Sequence, residues 1–277
     1  MLPEYCFGLI SLLFLILKVF RAGMHPLPAL LISAGVFLLL HVLYFILIWL
    51  AACTVDLDKP LKKQNAFCRY GTGFFSGIIN FFAGIRPVIN GMDKLPTERR
   101  FLYVSNHRSI FDPLIVMDRL RAYNISFISK PENMKLPFVG RIAYADGFLP
   151  IDRENDRNAM RTILTAADYL KRDICSIGVY PEGTRSKSEQ MLPFHAGSLK
   201  IAQKAKAPIV VASVHGTEKL RSFRLFSGVG ITLNILEVIP AETVCALRTT
   251  ELTEHIRAVI QADLDRGKNG VQEKEKA

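Results

Sequence analysis

The N-terminal end of the chain carries two apolar runs, and these constrain the fold more than any other feature of the sequence. Residues 27–53 contain almost no polar side chain, and residues 5–17 are nearly as apolar. At about 1.5 Å per helical residue, the second run reaches about 40 Å, which exceeds the roughly 30 Å hydrocarbon core of a bilayer. The first run, even when extended to Phe20, reaches only about 24 Å. Glycine and proline residues between 23 and 28 break the chain, so we expect a helical hairpin over residues 1–58 that spans a membrane or dips into one leaflet.

A secretory signal peptide is the competing interpretation of residues 1–22. The chain begins Met-Leu-Pro-Glu, which lacks a positively charged start, and no small-residue cleavage site follows. Basic residues directly after the second run place the large C-terminal portion on the cytoplasmic side of the membrane. These residues are Lys59, Lys62, Lys63 and Arg69. Lys18 and Arg21, between the two runs, also fit a hairpin that is held in one leaflet.

Charge and composition narrow the range of partners. The formal net charge is +10, of which residues 1–53 contribute only +1, so the remainder carries +9. This charge suits an anionic phospholipid membrane or an acidic carrier protein. Aromatic residues are not interleaved with the basic ones and no nucleic-acid motif is present, so nucleic acid is not an expected partner. The five cysteines and six histidines lack the spacing of metal ligands, and neither a metal nor a cofactor is expected.

From residue 86 onward, β-like runs alternate with helical stretches. The β-like runs are 101–105, 125–129, 174–180, 208–214 and 229–239, and the helical stretches lie near 113–122, 155–172, 196–206 and 249–265. This order predicts an α/β domain over residues 59–262, with a mixed sheet that is covered by helices. The polar tail over residues 263–277 is expected to fray.

An aromatic, glycine-rich stretch over residues 70–85 precedes this alternation. Gly73 and Gly77 are four residues apart, a spacing at which small residues let helices pack closely. We expect helix packing here, and an interfacial segment that leads a lipid toward a site is the alternative.

A histidine and an aspartate follow the first β-like run. His107 can take a proton from a hydroxyl group, and Asp112 can hold the imidazole in one tautomer and stabilise the imidazolium that forms. Five residues of an α-helix rotate the chain by about 140°, so the two side chains cannot share one regular helix face. We expect His107 on the loop that leaves the strand and Asp112 at the cap of the next helix, with Pro113 in its first position. A surface histidine beside an ordinary helix cap is the alternative.

Four blocks of sequence, in the same order, resemble the motifs of the glycerolipid acyltransferases, the family of 1-acylglycerol-3-phosphate acyltransferases. Asn106–Asp112 is similar to the N-H-x4-D motif, and Gly147–Arg153 resembles the second motif, in which an aromatic residue precedes Ile-Asp-Arg. Val179–Ser186 contains the E-G-T-R core of the third motif, and Ala207–Val211 resembles the fourth, a proline-led apolar strand.

This resemblance implies a membrane-associated O-acyltransferase with His107 and Asp112 as its catalytic pair. It would transfer a fatty acyl group from an acyl thioester to the sn-2 hydroxyl of 1-acylglycerol 3-phosphate and so form phosphatidic acid. Acyl-CoA and acylated carrier protein both suit a basic surface, and the sequence does not separate them. Another lysophospholipid or glycerol 3-phosphate as the acceptor stays open, as does a non-catalytic membrane scaffold with the same fold.

Two arginines are candidates for binding the phosphate group. Arg153 follows a short apolar run, and Arg185 ends the Pro-Glu-Gly-Thr-Arg turn after another. A guanidinium group can bind a phosphate through two hydrogen bonds, so both residues would suit a phosphomonoester near His107. The alternative for this segment is an ordinary surface turn.

The residues around these arginines have expected roles of their own. Gly183 lets the backbone bend sharply, and Thr184 adds a hydroxyl and an amide donor to the phosphate site. Glu182 would be repelled by a phosphate, so we expect it to pair with an arginine and orient it, or to cap the turn. Lys130 is assigned from the resemblance, as a lysine near the catalytic histidine that could stabilise an oxyanion. A backbone amide is the other candidate for that role.

Overall fold

The structure is a computed structural model that describes residues 2–186, 190–220 and 228–276, with side chains described for residues 5–267 of these ranges. The chain divides into two compact units, residues 1–55 and residues 56–277. The first unit contains helices, and the second contains both strands and helices, as the composition of the two parts of the chain predicts.

The N-terminal unit consists of helices, in agreement with its apolar sequence. Helix α1 spans Leu2–Ile16, a π-helical turn follows at Leu17–Arg21, and helix α2 spans Pro26–Cys53. Proline is favoured in the first position of a helix because its missing N–H group would have no partner there. Within the described residues, α2 is the one helix that is long and apolar enough to cross a membrane. The prediction of two helices is confirmed, but only α2 has membrane-crossing length.

Seven strands of the second unit form one sheet in the order β1-β7-β6-β2-β5-β3-β4. The strands are β1 Val88–Asn90, β2 Leu102–Ser105, β3 Ile125–Ser129, β4 Leu149–Pro150, β5 Ser176–Val179, β6 Ile209–His215 and β7 Thr232–Ile239. Strand β2 pairs in parallel with β5 and β6, β3 pairs in parallel with β5 and β4, and β7 runs antiparallel to β6. The predicted mixed sheet is confirmed. Because β2 to β6 are all parallel, their carboxyl ends lie at one edge of the sheet, here called the carboxyl edge.

Helices cover both faces of this sheet. They are α3 Ala66–Phe82, α4 Phe111–Arg119, α5 Pro131–Met134, α6 Val139–Ala145, α7 Asp156–Lys171, α8 Lys200–Ala205, α9 Ala241–Ala246 and α10 Thr249–Lys276. The long periodic helices were predicted, whereas α5, α6 and α9 were not, because four to seven residues carry too little periodicity to be recognised. The sequence also missed β1, which has three residues, whereas the two-residue β4 lies within the short apolar run that precedes Arg153. Helix α10 extends well beyond the predicted stretch 249–265.

The strands alternate their side chains between two apolar layers. Phe101 and Tyr103 face α4, where they pack with Ile115 and Val116 in one buried cluster. All four residues of β2 are buried, as expected for the central strand of a sheet that is covered on both faces. Burial of each such side chain contributes roughly 1.5–3 kcal/mol. Strand β2 is therefore a rigid support for the loop that follows it.

Helix α3 contains the glycine-rich stretch and packs against α4. A Cβ atom at Gly73 would lie 3.3 Å from the Arg121 side chain and from the Met117 carbonyl oxygen, and one at Gly77 would lie 2.5 Å from Nη2 of Arg121. The absence of these Cβ atoms leaves room for the arginine along α3, where its guanidinium reaches Asp118 at 2.9 Å. The prediction that these glycines serve helix packing is confirmed.

A buried carboxylate joins α3 to the end of α6. Gln64 Nε2 donates to Asp146 Oδ1 at 2.9 Å, and Thr72 Oγ1 donates to Oδ2 at 2.6 Å. Burial raises the pKa of Asp146 to about 7, although the hydrogen bond from Thr72 and the charge of Arg69 act in the opposite direction. A carboxyl group with a raised pKa favours the folded state at low pH, and this contribution is lost as the pH rises toward the folded-state pKa.

We expect Asp146→Asn to remove a part of the pH dependence of stability. In the unaltered protein this group should lower the free energy of unfolding, on the order of a few kcal/mol, as the pH rises from about 4 to about 7. The amide of the variant does not titrate, so its thermal unfolding midpoint should fall less between about pH 4 and about pH 7. Thermal unfolding of both proteins in one detergent measures this difference. An equal fall in both proteins would contradict the assignment.

Candidate active site

The carboxyl edge of the sheet collects the residues that the sequence predicts as a site. His107 comes two residues after β2, and Lys130 directly follows β3. Arg153 comes three residues after β4, and residues 182–185 follow the end of β5. Parallel strands place the loops that follow them at the same edge, which is where ligands bind in open α/β sheets. Residues that are far apart in the sequence therefore meet here.

His107 and Asp112 form the hydrogen bond that their spacing predicts. The imidazole Nδ1 lies 2.8 Å from Asp112 Oδ2, with the histidine side chain 18% exposed and the aspartate completely buried. The same oxygen accepts the backbone amides of Arg108 at 2.7 Å and Ser109 at 2.8 Å. Because a carboxylate only accepts, Nδ1 carries the proton and Nε2 keeps its lone pair. The pair is thus arranged for His107 to accept a proton at Nε2.

The start of helix α4 differs from the prediction. The helix begins at Phe111, so Asp112 lies in its first turn rather than at the cap, and Pro113 is in the third position rather than the first. The first four amides of a helix have no partner within it, so proline is tolerated there too. The carboxylate reaches back to the amides of residues 108 and 109 instead of capping amides ahead of it. The helix starts earlier because Asp112 closes the preceding turn.

Glu182 ties the loop after β5 to the loop after β2. Its Oε1 accepts the backbone amide of His107 at 2.8 Å, and its Oε2 accepts that of Leu192 at 2.8 Å. The amide of Ser186 in turn donates to the His107 carbonyl oxygen at 2.8 Å. Burial raises the pKa of Glu182, and the amides of His107 and Leu192 act against the increase. Of the two roles expected for Glu182, these contacts fit the capping of a turn rather than the orientation of an arginine, because both carboxylate oxygens accept backbone amides.

Arg153 contacts the glycine of the Pro-Glu-Gly-Thr-Arg turn. Its Nη1 donates to the carbonyl oxygen of Gly183, and burial lowers the pKa of the guanidinium. Gly183 has a φ of +75°, the left-handed region that glycine enters without strain. A Cβ atom there would collide with the Arg153 guanidinium. Thr184 and Arg185 follow with exposed side chains, open to a ligand from solution.

Lys130 lies at the carboxyl edge but at a distance from the dyad. Strand β5 stands between β3 and β2, so the strands leading to Lys130 and His107 are about 10 Å apart. The side chain of Lys130 is exposed at the start of α5. The structure therefore brings Lys130 to the same edge of the sheet, two strands away from the strand that leads to His107.

Tyr180 contacts His107, and the sequence alone did not identify it as a site residue. Its ring stacks on the imidazole at 4.3 Å between centroids with a tilt of 15°, and it stacks on Phe127 at 5.4 Å with a tilt of 5°. The sequence offered one signal for this role, an aromatic residue directly before Pro-Glu-Gly-Thr-Arg. An aromatic residue in that position is equally typical of the end of a buried strand. This stack covers one face of the imidazole and restricts its rotation.

Asn106 is a second residue that sequence reasoning left without a role. Its side chain is buried, its Nδ2 donates to the Val214 carbonyl oxygen at 2.9 Å, and its Oδ1 accepts the Val214 amide at 2.8 Å. These bonds tie the residue before His107 to strand β6. The histidine loop is therefore held from β6 on one side and, through Glu182, from the loop after β5 on the other.

Comparisons with known proteins show what this chain is similar to. The family model described as Acyltransferase matches residues 86–215. The 1-acyl-sn-glycerol-3-phosphate acyltransferase beta of Homo sapiens is 30% identical over 188 residues, which are 66% of this chain and 66% of that protein. The 1-acyl-sn-glycerol-3-phosphate acyltransferase of Salmonella typhimurium is 31% identical over 172 residues, which are 60% of this chain and 68% of that protein. The chain thus aligns with about two thirds of the length of these relatives.

A solved structure shows the same fold. The crystal structure of the 1-acyl-sn-glycerophosphate (LPA) acyltransferase PlsC from Thermotoga maritima is similar with a TM-score of 0.60 and 23% sequence identity. The match covers 83% of this chain and 95% of that chain. At this level of identity the similarity concerns the fold.

Substitutions of Tyr180 should separate the contribution of its ring from that of its hydroxyl group. The hydroxyl is buried without a hydrogen-bond partner among the described residues. Tyr180→Phe keeps the stack, so we expect the free energy of unfolding to stay equal or to rise by about 1 kcal/mol. Tyr180→Leu removes both ring contacts and should lower it by about 1–3 kcal/mol. Denaturant unfolding followed by circular dichroism measures both values, and equal losses in the two variants would contradict a role for the ring.

Proposed function

The chain belongs to the Acyltransferase family as an O-acyltransferase of the glycerolipid group, and we propose that it transfers a fatty acyl group from an acyl thioester to 1-acylglycerol 3-phosphate. The acceptor would be the sn-2 hydroxyl, and the product would be phosphatidic acid. The observation that carries this proposal is the buried hydrogen bond between His107 and Asp112 at the carboxyl edge, which leaves Nε2 as a base. No nucleophilic side chain is needed, because the acceptor itself brings the hydroxyl group.

In the proposed reaction, Nε2 of His107 takes the proton of the acceptor hydroxyl while the oxygen attacks the thioester carbonyl. The tetrahedral intermediate collapses, the carbon–sulfur bond breaks, and the ester forms. The imidazolium then returns its proton to the leaving sulfur, so the enzyme ends in its starting state. Asp112 stabilises the imidazolium through Nδ1, and its bonds to two backbone amides keep it in position.

Binding of the acceptor phosphate is assigned to the exposed residues beside the dyad. Arg153 uses one guanidinium N–H on the Gly183 carbonyl, which holds the group in place and leaves other donors for a phosphate. Thr184 and Arg185 are exposed next to it. Glu182 contributes indirectly, since it holds the histidine loop through the amide of His107.

The proposal also includes an acyl donor from solution and attachment to a membrane. The donor would be acyl-CoA or acylated carrier protein, both of which are anionic and suit the basic second unit. The apolar helix α2 supports attachment to a phospholipid membrane, and the basic residues after it support a catalytic unit on the cytoplasmic side. In this arrangement a lipid acceptor and a donor from solution can reach the same edge of the sheet.

Loss of the dyad should abolish turnover without loss of the fold. We expect His107→Ala and Asp112→Asn each to reduce phosphatidic acid formation by about 10²- to 10⁴-fold, as for loss of a general base or its partner. The assay gives the purified protein 1-acylglycerol 3-phosphate with acyl-CoA or acylated carrier protein. His255→Ala, which removes a surface histidine with its own carboxylate partner Glu237 at 2.7 Å, is the matched control and should keep full activity.

Two outcomes would contradict this assignment. Full activity of a folded His107→Ala protein would remove the histidine from the mechanism. Absence of product from the unaltered protein with both donors, together with product from glycerol 3-phosphate or another lysophospholipid, would replace the acceptor. Absence of product from all these acceptors would favour a non-catalytic membrane scaffold.

The phosphate assignment of the arginines makes a separate prediction. We expect Arg153→Ala and Arg185→Ala to raise KM for 1-acylglycerol 3-phosphate by about tenfold or more, because each removes charged hydrogen bonds worth about 1.5–3 kcal/mol. Arg185→Lys keeps the charge but loses the planar fork, so it should retain only part of the affinity. Steady-state kinetics with 1-acylglycerol, which lacks the phosphate, should show little change. Arg257→Ala, on the exposed face of α10, is the control. A similar loss with both acceptors would indicate that the arginines do not bind the phosphate.

A further inference from the structure

The segment Lys135–Val139 exposes apolar side chains at nearly consecutive positions. Leu136, Phe138 and Val139 are each 52% exposed, and Lys135 and Pro137 are exposed as well. Single exposed apolar residues are ordinary, but a contiguous group marks an interaction site. Exposure of apolar side chains to water is unfavourable, so the position of this group in the fold indicates where an apolar partner would bind.

This segment lies at the carboxyl edge, like the dyad. It follows β3 after the short helix α5, and it ends where α6 begins. Ile110, three residues after His107, is also exposed. The end of α3 adds Phe81 and Phe82, whose side chains are exposed. Three separate parts of the chain thus present apolar side chains around the candidate active site.

The end of α3 reaches this edge because of how the helix packs. Asn80 Nδ2 donates to the carbonyl oxygen of Leu114 in the first half of α4 at 3.1 Å, whereas Gly73 lies against Met117 farther along α4. The two helices therefore run in opposite directions, and the C-terminal end of α3 lies beside the start of α4. That start follows directly from the loop that carries His107.

The backbone at Phe138 adopts a strained conformation, and the side chain at this position is exposed. Phe138 has φ 61° and ψ −55°, and the Val139 amide donates to the Pro137 carbonyl oxygen at 2.6 Å. This is a γ-turn with positive φ, which is rare and unfavourable for a residue with a bulky side chain. Glycine would adopt it without strain, yet the chain has phenylalanine there. Strain of this kind is concentrated at functional sites.

Basic residues occur in the same segments of the chain as these apolar side chains. Lys130, Lys135 and Arg86 are exposed, and Arg141 is partly exposed. The sequence of residues 130–141 contains one acidic residue, Glu132. Positive charge beside exposed apolar side chains complements an anionic lipid surface, where apolar groups enter the acyl region and basic groups meet the head groups.

We propose that the surface formed by Leu136, Phe138, Val139, Ile110, Phe81 and Phe82 inserts into an anionic phospholipid bilayer, so that the acceptor passes from the lipid to His107 without crossing water. This inference rests on the proposed function for its lipid acceptor. It assigns bilayer contact to the catalytic unit itself, in addition to helix α2. Within this surface, the 135–139 segment supplies three apolar side chains at nearly consecutive positions, each about half exposed.

The position of the segment relative to lipid can be measured directly in the full chain. Trp49 is the single tryptophan, so Trp49→Phe provides a background free of tryptophan fluorescence. Phe138→Trp in this background should be quenched by phospholipids that carry bromine on the acyl chains, in vesicles of phosphatidylcholine and phosphatidylglycerol. Leu164→Trp is the matched control, since Leu164 is similarly exposed in the middle of α7. It should be quenched by aqueous acrylamide and not by brominated lipid. Equal behaviour of the two tryptophans would overturn the proposal, and this result does not depend on activity.

Kinetics test the same surface through substrate delivery. The double variant Leu136→Ser, Phe138→Ser should raise the apparent KM for 1-acylglycerol 3-phosphate in those vesicles by about tenfold. It removes two apolar side chains that would be buried in the bilayer. Turnover of a short-chain, water-soluble acceptor should be unchanged, which separates surface binding from chemistry. Leu164→Ser should change neither value. Absence of product from the unaltered protein would be a failure of the proposed function, whereas product with unchanged KM in the double variant would overturn only the bilayer contact. A rise in KM for acylated carrier protein alone would assign the surface to that acidic partner instead.

Discussion

One oxygen of the Asp112 carboxylate accepts from His107 Nδ1 and from two backbone amides, and the local structure of the site depends on this convergence. The bonds to the two amides fix the turn after β2 and the start of α4. They hold the aspartate in place independently of its bond to the histidine. Its complete burial strengthens each bond, since water does not compete for the oxygen. The same interaction that shapes the loop therefore also sets the tautomer of the base.

In the candidate site, some residues are held rigidly and others are exposed to solvent. Asn106, Glu182 and Tyr180 hold the histidine loop from β6, from the loop after β5 and from the face of the imidazole. Thr184 and Arg185, by contrast, are exposed. A base needs a defined position to act on a hydroxyl group, whereas residues that bind a phosphate must be open to it. The need for rigid support explains why Glu182 is buried, although the motif that contains it was expected to contact the ligand.

Sequence reasoning succeeded where a signal repeats or is local. Strand β3 was predicted to the residue, and β2, β5, β6 and β7 within a few residues, because each is a run of apolar side chains. The spacing of His107 and Asp112 excluded a shared helix face, and the structure agrees. It failed for β1 and α5, which are too short to carry a pattern, and for the start of α4, which is determined by the Asp112 side chain reaching back to earlier amides. For Glu182 the sequence left two roles open, because its actual partners are backbone amides, which carry no sequence signature.

The sequence by itself determined the α/β class, the apolar N-terminal helices and the pairing of His107 with Asp112, since periodicity, length and residue chemistry are local properties. Only the tertiary structure decided that Tyr180 stacks on His107, that Glu182 joins two loops, and that Phe138 is exposed at the same edge. These contacts join residues separated by tens of positions, and they follow from the order of strands in the sheet. Strand order depends on which faces can be buried together, which no single stretch of sequence specifies.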